Sequence, residues 1–284
     1  MSEQRILITG GTSGIGLATA RRLASRGAQV AVLARNATGL VAARRQTAAA
    51  GRQCLALRVD VTDREALSAG VEHAVAELGG LDVAIANVSA ATYGRFRDTP
   101  PEDFERVVDV TFGSAVDTTR AVLPHLEASH GSLVVVGSLA SEVPLPRMSA
   151  YTASKHAVRG FVEVLEIELR AQGSNVAVSL VEPGPVDTPF WHNVVSEDGL
   201  LPPAVRPLHR PERVAAAIER SVDRRAARAT VGRIWVLSRL AYRFARPLSS
   251  RLIAWLLSVA ERRAERGPGR AAIWNPSGEG AERR

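Results

Sequence analysis

The sequence predicts an α/β protein: a single doubly wound domain with a mostly parallel sheet of six to seven strands, followed by a helical C-terminal extension. Two observations predict it. Short apolar runs alternate with stretches of helical periodicity at a regular pitch, which places helices on both faces of a parallel sheet. The first run is also followed at once by a glycine-rich turn that opens the first helical pattern. A chain of 284 residues suits one large α/β domain, and 46% apolar content is enough to fill its core.

Residues 5–9, RILIT, form the first strand, and the turn that follows reads Gly10-Gly11-Thr12-Ser13-Gly14-Ile15-Gly16. Gly10 permits the tight turn, while Gly14 and Gly16 let a pyrophosphate approach backbone N–H groups at the helix N-terminus. Strand two, residues 28–34, runs into Arg35 and Asn36. A carboxylate at this point serves the ribose hydroxyls of NAD; here Ala34 stands in its place and Arg35 follows, so NADP(H) is favoured over NAD(H). Strand three, CLALRVD, ends at Asp60 with Val61 in position to meet an adenine edge. Asp60 and Asp63 compete as cap of the next helix.

Strand four, LDVAIAN, ends at Asn87, and a long helix from about Pro101 to Leu126 follows, with Pro101 in the first turn. Strand five, SLVVVGS, ends at Ser138, where doubly wound sheets place their ligands. The next helix carries Tyr151 and Lys155 and continues through Phe161, Val164, Leu165 and Leu169. Strand six, NVAVSLVEPG, ends in Pro183-Gly184-Pro185-Val186-Asp187-Thr188.

Tyr151 and Lys155 lie one helical turn apart and project from one face. A phenol beside an ammonium is a proton donor in waiting, because the positive charge favours the phenolate and lowers the tyrosine pKa. Lys155 is the only lysine in a chain rich in arginine. A compact ammonium is thus kept at a position where a planar guanidinium would not substitute.

Bulk properties narrow the function. The lone Cys54 excludes an intrachain disulfide, and the six histidines form no closely spaced pair, so no metal site is expected. The chain enters a strand within a few residues, which leaves no room for a signal peptide, and no run nears the about 20 apolar residues that span a bilayer. A reducing, cytoplasmic compartment is the expectation. The net charge of +7 is concentrated between Arg210 and Arg251, where eleven arginines face Glu212, Glu219 and Asp223. Basicity confined to one segment does not describe a nucleic-acid-binding fold.

Over about residues 5–225 the chain resembles the short-chain dehydrogenase/reductase family, whose Rossmann-like domain fits the order above. The resemblance rests on Thr9-Gly10 with Gly14 and Gly16, Asp60, Asn87, Ser138, Tyr151 with Lys155, and Pro183-Gly184 with Thr188. It implies that Tyr151 is the general acid or base, that Ser138 polarises the substrate oxygen, and that Lys155 holds the nicotinamide ribose and depresses the tyrosine pKa. It further implies that Thr188 bonds the nicotinamide carboxamide and that the chain forms a homodimer or homotetramer through the long helix and the Tyr151 helix. Two positions depart from the family. Its Asn-Asn-Ala-Gly reads Ala86-Asn87-Val88-Ser89, and the asparagine of its long helix falls on Thr111, carried here as a fourth catalytic member.

The expected division is a catalytic domain over 1–231, a basic amphipathic extension over 232–266, and a poorly ordered tail over 267–284. Residues 234–246 place Leu237, Leu240, Ala241 and Phe244 on one helical stripe and Arg239, Arg243 and Arg246 on another. Pro247 breaks the pattern, which resumes with Ser249 or Ser250 as cap. Such a pair either lies on an anionic membrane surface or packs against protein, the latter being favoured. The segment from Val186 to Arg210 is expected to form a substrate lid. Its Phe190, Trp191, Leu200 and Leu201, with Val143, Leu145 and Met148 opposite, point to a lipophilic ketone or secondary alcohol. The alternative is a catalytically weak NADP(H)-binding sensor or scaffold.

Overall fold

The computed structural model describes residues 3–196 and 208–266. The strands and helices run β1 (Arg5–Thr9), α1 (Gly14–Ala24), β2 (Gln29–Ala34), α2 (Ala37–Ala50), β3 (Leu55–Arg58), α3 (Arg64–Leu78), β4 (Val83–Ala86) and β5 (Thr92–Tyr93). Then come α4 (Pro101–Val108), α5 (Ser114–Ser129), β6 (Ser132–Val136), α6 (Ser149–Ala171), β7 (Ala177–Pro183), β8 (Val195–Ser196), α7 (Pro211–Arg224), β9 (Arg228–Val231), α8 (Arg233–Phe244) and α9 (Arg246–Arg266).

Seven parallel strands form the main sheet in the order β3-β2-β1-β4-β6-β7-β9. Their continuous apolar runs follow from burial on both faces. Ile6 and Ile8 of β1 point into one layer with Leu23 of α1 and Ile218 of α7. Leu7 points into the other with Leu67 of α3, Leu126 of α5 and Val162 of α6. The order reverses between β1 and β4, and a crevice opens there beyond the strands' carboxyl ends. The strands stop at Arg58, Ala86 and Val136. Asp60, Asn87 and Ser138, expected as strand ends, therefore sit in the loops just beyond.

The long helix differs from expectation. α4 and α5 are joined by a π turn over Asp109–Gly113, and α5 continues past Leu126 to Ser129. The amide of Ser114 reaches back five residues to the Asp109 carbonyl, and the Ser114 hydroxyl donates to the Val110 carbonyl at 2.6 Å. The widened turn carries Thr111 at its centre. Pro247 also behaves differently: it opens α9 rather than only breaking α8. Ser249 is not a cap, since its amide donates to the Ala245 carbonyl at 2.9 Å inside the helix, and Ser250 lies further in still.

α8 lies against the domain through one face. Trp235 packs on Gly184, where a Cβ would collide with the indole. Arg239 joins a largely buried ion cluster with Glu142, Glu182 and Arg228, at 3.4 Å from Glu142 and 3.5 Å from Glu182. Glu182 interrupts the apolar run of β7, and burial pushes its carboxyl above the usual range against the pull of Arg228. A buried acid there calls for cationic partners, and the extension supplies one of them.

Candidate active site

The glycine turn is held from below and shaped from above. Gly10 has φ 69° and its amide donates to the Leu33 carbonyl at 2.8 Å. The Asn87 side-chain amide donates to the Thr9 and Gly10 carbonyls at 3.3 and 3.2 Å, which ties the β4 loop to the turn. Gly14 has φ 49°, and a Cβ on it would stand 2.9 Å from the Thr188 methyl. Gly16 differs from the expectation: a Cβ there would strike the Gly10 carbonyl, so this glycine serves helix-to-turn packing and lies outside the cleft. Ser13, the N-cap of α1, makes no side-chain capping bond, and the first turn carries no acid. Its N–H groups remain available to an anionic ligand, assisted by the helix dipole.

A cleft of about 1050 Å³ runs from this turn in both directions. Thr12, Ser13, Gly14, Ile15, Arg35 and Val61 line one end. Asn87, Ser138, Tyr151, Lys155, Pro183, Gly184, Val186 and Thr188 line the other. Asp60 stays off the wall, and its carboxylate accepts from the Thr62 amide and hydroxyl at 3.0 and 2.8 Å and pairs with Arg35 at 3.5 Å. Asp63 is the cap of α3, accepting from the Ala66 amide at 3.0 Å. These groups fit a nicotinamide dinucleotide: unsatisfied N–H donors for a pyrophosphate, an exposed guanidinium at one end, and a phenol and an ammonium at the other.

At the far end Ser138 follows β6 and caps a short 3₁₀ turn, accepting from the Ala140 amide at 3.1 Å. Tyr151 enters in the first turn of α6 with 9% of its surface exposed, and Lys155 lies one turn on with 2%. The Lys155 ammonium donates to the Val136 carbonyl at 2.9 Å and sits 5.8 Å from the centre of the Tyr151 ring. Burial pushes the Tyr151 phenol up to about 12, against a hydrogen bond with Ser138 that draws it down. Burial also pushes the Lys155 ammonium down to about 7. The tyrosine thus shifts opposite to the lowering expected from its lysine, with desolvation the largest cause.

Thr111 stands apart from the expected relay. Its hydroxyl accepts from the Ala90 amide at 3.0 Å and donates to the Ala90 carbonyl at 3.1 Å, clasping the loop after β4. Ala90 and Ala91 line the cleft, whereas Thr111 does not. Of the expected lid, Phe190 and Trp191 lie on a 3₁₀ turn, with the Phe190 ring 5.6 Å from that of Tyr151. Trp191 donates to the Val186 carbonyl at 2.9 Å. A parallel pairing of β5 with β8 fastens this segment to the loop carrying Ala90 and Ala91. Leu145 lines the cleft, Met148 is buried in the cluster behind it, and Val143 is off the wall. Leu200 and Leu201 lie outside the described residues. Three features escape the sequence reading: Trp235 behind Gly184, the Ala90 clasp, and the carboxylates Glu102, Glu105 and Asp109 on the cleft wall. Spacings of three and four residues put these acids on one helical face, which was the available signal.

The description "short chain dehydrogenase" belongs to the family model that matches residues 4–199. The chain is a short-chain dehydrogenase/reductase. This dehydrogenase is 36% identical over 234 residues to SadH of Mycobacterium tuberculosis, named as an oxidoreductase, covering 80% of this chain and 85% of that one. It is 34% identical over 221 residues to the uncharacterized oxidoreductase YxnA of Bacillus subtilis, covering 77% of this chain but only 62% of that protein. Its fold matches a 3-ketoacyl-(acyl-carrier-protein) reductase from Brucella melitensis complexed with NADH, at TM-score 0.71 and 25% identity, over 81% of this chain and 97% of that one. It also matches a short-chain dehydrogenase/reductase from Burkholderia phymatum in complex with NAD, at TM-score 0.77 and 21% identity, over 87% and 95% of the two chains. The dehydrogenase is an oxidoreductase of this family.

Proposed function

We propose that this dehydrogenase uses NADP(H) to move a hydride between the nicotinamide and a carbonyl or secondary alcohol on a neutral, lipophilic substrate. The observation that carries the reading is the convergence of Ser138, Tyr151 and Lys155 at one end of a cleft whose other end holds Arg35. When bound, the dinucleotide supplies the hydride chemistry. The turn at Thr12 to Ile15 would hold its pyrophosphate, Arg35 its 2′-phosphate, Asn87, Lys155, Pro183, Gly184, Val186 and Thr188 its nicotinamide half, and Val61 would flank its adenine, with Asp60 behind the wall holding Thr62 and Arg35.

The chain's own residues handle the proton. Ser138 presents a hydroxyl to the substrate oxygen, and Tyr151 gives that oxygen a proton in reduction or removes it in oxidation. A phenol raised to about 12 is protonated at neutral pH, so it holds the proton that reduction needs, while the phenolate that oxidation needs is scarce. That favours reduction near neutrality, with oxidation gaining as pH rises. Thr111 acts as a positioning residue, through its clasp on Ala90. Apolar Leu145, Phe190 and Trp191 on the cleft lining favour a lipophilic substrate, while Glu102, Glu105 and Asp109, set against Arg106, leave a net negative balance that disfavours anionic ones. Exposed Val164 and Ile167 on α6 support homo-oligomerisation through that helix.

A second reading, a weakly active NADP(H) sensor, is favoured by the engagement of the Thr111 hydroxyl with Ala90. One experiment separates the two: NADPH and NADH binding and oxidation with a panel of neutral lipophilic ketones, on wild type and Tyr151→Phe. The dehydrogenase reading expects turnover with NADPH preferred, and a drop of roughly a hundredfold or more in Tyr151→Phe with NADPH binding retained. NADPH binding with no turnover across the panel supports the sensor. Turnover confined to anionic substrates or to NADH overturns the corresponding part of the proposal.

A further inference from the structure

The extension has a second face that the domain leaves uncovered. On α8, Trp235 and Arg239 turn inward, while Leu237, Leu240 and Phe244 on the opposite side are exposed, Leu237 by 65% and Phe244 by 81%. On α9, Leu252, Trp255 and Leu256 follow the same helical spacing and are each more than half exposed. From Arg233 to Val259 the sequence holds five arginines and neither Asp nor Glu. Arg243, Arg246 and Arg251 are exposed beside the apolar rows. Among the described residues no helix is long and apolar enough to cross a membrane.

We propose that α8 and α9 lie in the plane of an anionic lipid surface, with the apolar rows entering the acyl boundary and the exposed arginines on lipid phosphates. Charge decides the occupant. A second copy laid on this face would bring the same arginines against them, and the acids of α9, Glu261 and Glu265, come only after the apolar rows in sequence. Anionic headgroups pair them all, and guanidinium binds phosphate through two parallel bonds. A nucleic acid would satisfy the arginines but leave the apolar rows in water. Trp235 packs on Gly184 of the cleft wall, so the proposed lipid face is carried by the helix that backs the active-site end. The inference does not depend on the reaction proposed above.

The test uses the full chain with vesicles of phosphatidylcholine containing phosphatidylglycerol, and with phosphatidylcholine alone. The chain is expected to sediment with the anionic vesicles at low salt and to be released at high salt. Combined Leu237→Ser, Phe244→Ser and Trp255→Ser should raise the lipid needed for half-binding by roughly tenfold or more, with the melting transition unchanged. Combined Arg243→Gln, Arg246→Gln and Arg251→Gln should abolish the preference for anionic vesicles. A chain that stays in the supernatant with anionic vesicles overturns the proposal, as does a serine variant that binds like wild type. Sedimentation velocity gives a third route to failure: serine substitutions that only convert a dimer to a monomer would assign the face to a second copy.

Discussion

Lys155 is the residue on which the energetics of the site turn. Its ammonium falls from an ordinary 10.5 to about 7 through burial. Between those values the unfolded chain holds a proton that the folded chain has released, so stability climbs as pH rises through this window. Below about 7 the folded state bears the full cost of a buried ammonium, on the order of a few kcal/mol, and above 10.5 it bears none. Lys155→Met should therefore melt above wild type at neutral pH, less about 1 kcal/mol for the hydrogen bond lost at Val136. The advantage should shrink as pH approaches 10, as thermal melts across pH would show; a constant difference would refute the burial argument. Sequence spacing sufficed to bring Tyr151, Lys155 and Ser138 together, because the end of β6 and the start of α6 are neighbours in any doubly wound order. The direction of the two pKa shifts was illegible, since desolvation is a property of everything packed around a group and of no residue taken alone.

Among the elements, the strand, glycine turn and helix order of β1 and α1 was legible, and the packing role of Gly16 was not. Glycine spacing announces a phosphate loop, but whether a given glycine faces the ligand or the protein depends on the close approach of Gly16 to the Gly10 carbonyl. Gly16→Ala should lift α1 off the turn, costing roughly 1–3 kcal/mol of stability and weakening NADPH binding, measurable by denaturation and by cofactor fluorescence. Unchanged affinity would return Gly16 to the role of a passive spacer. The π turn over Asp109–Gly113 was invisible in the apolar pattern, and so was the bond of its central Thr111 to Ala90, on a loop 21 residues away in sequence. Helix starts with a local cap, such as Asp63 before α3, were legible down to the competing candidate.

Across the whole molecule, the parallel sheet and its helical layers were legible because burial on both faces writes itself as uninterrupted apolar runs. What the extension does was not, because amphipathic periodicity is the same whether the apolar face meets protein, lipid or a second copy. The long-range pairs Trp235 with Gly184 and Arg239 with Glu142 and Glu182 decided how α8 sits. The arginine bias has a last consequence for the chain as a chemical object. Its one side-chain amine is Lys155, enclosed at 2% exposure beneath the phenol. Amine-directed acylating reagents, which also take the α-amine, should leave every side chain of the native fold untouched and add one side-chain mark to the opened chain, in the middle of its active site. The rate of that single modification is then a clock for opening around α6, and a ligand that seals the cleft should slow it.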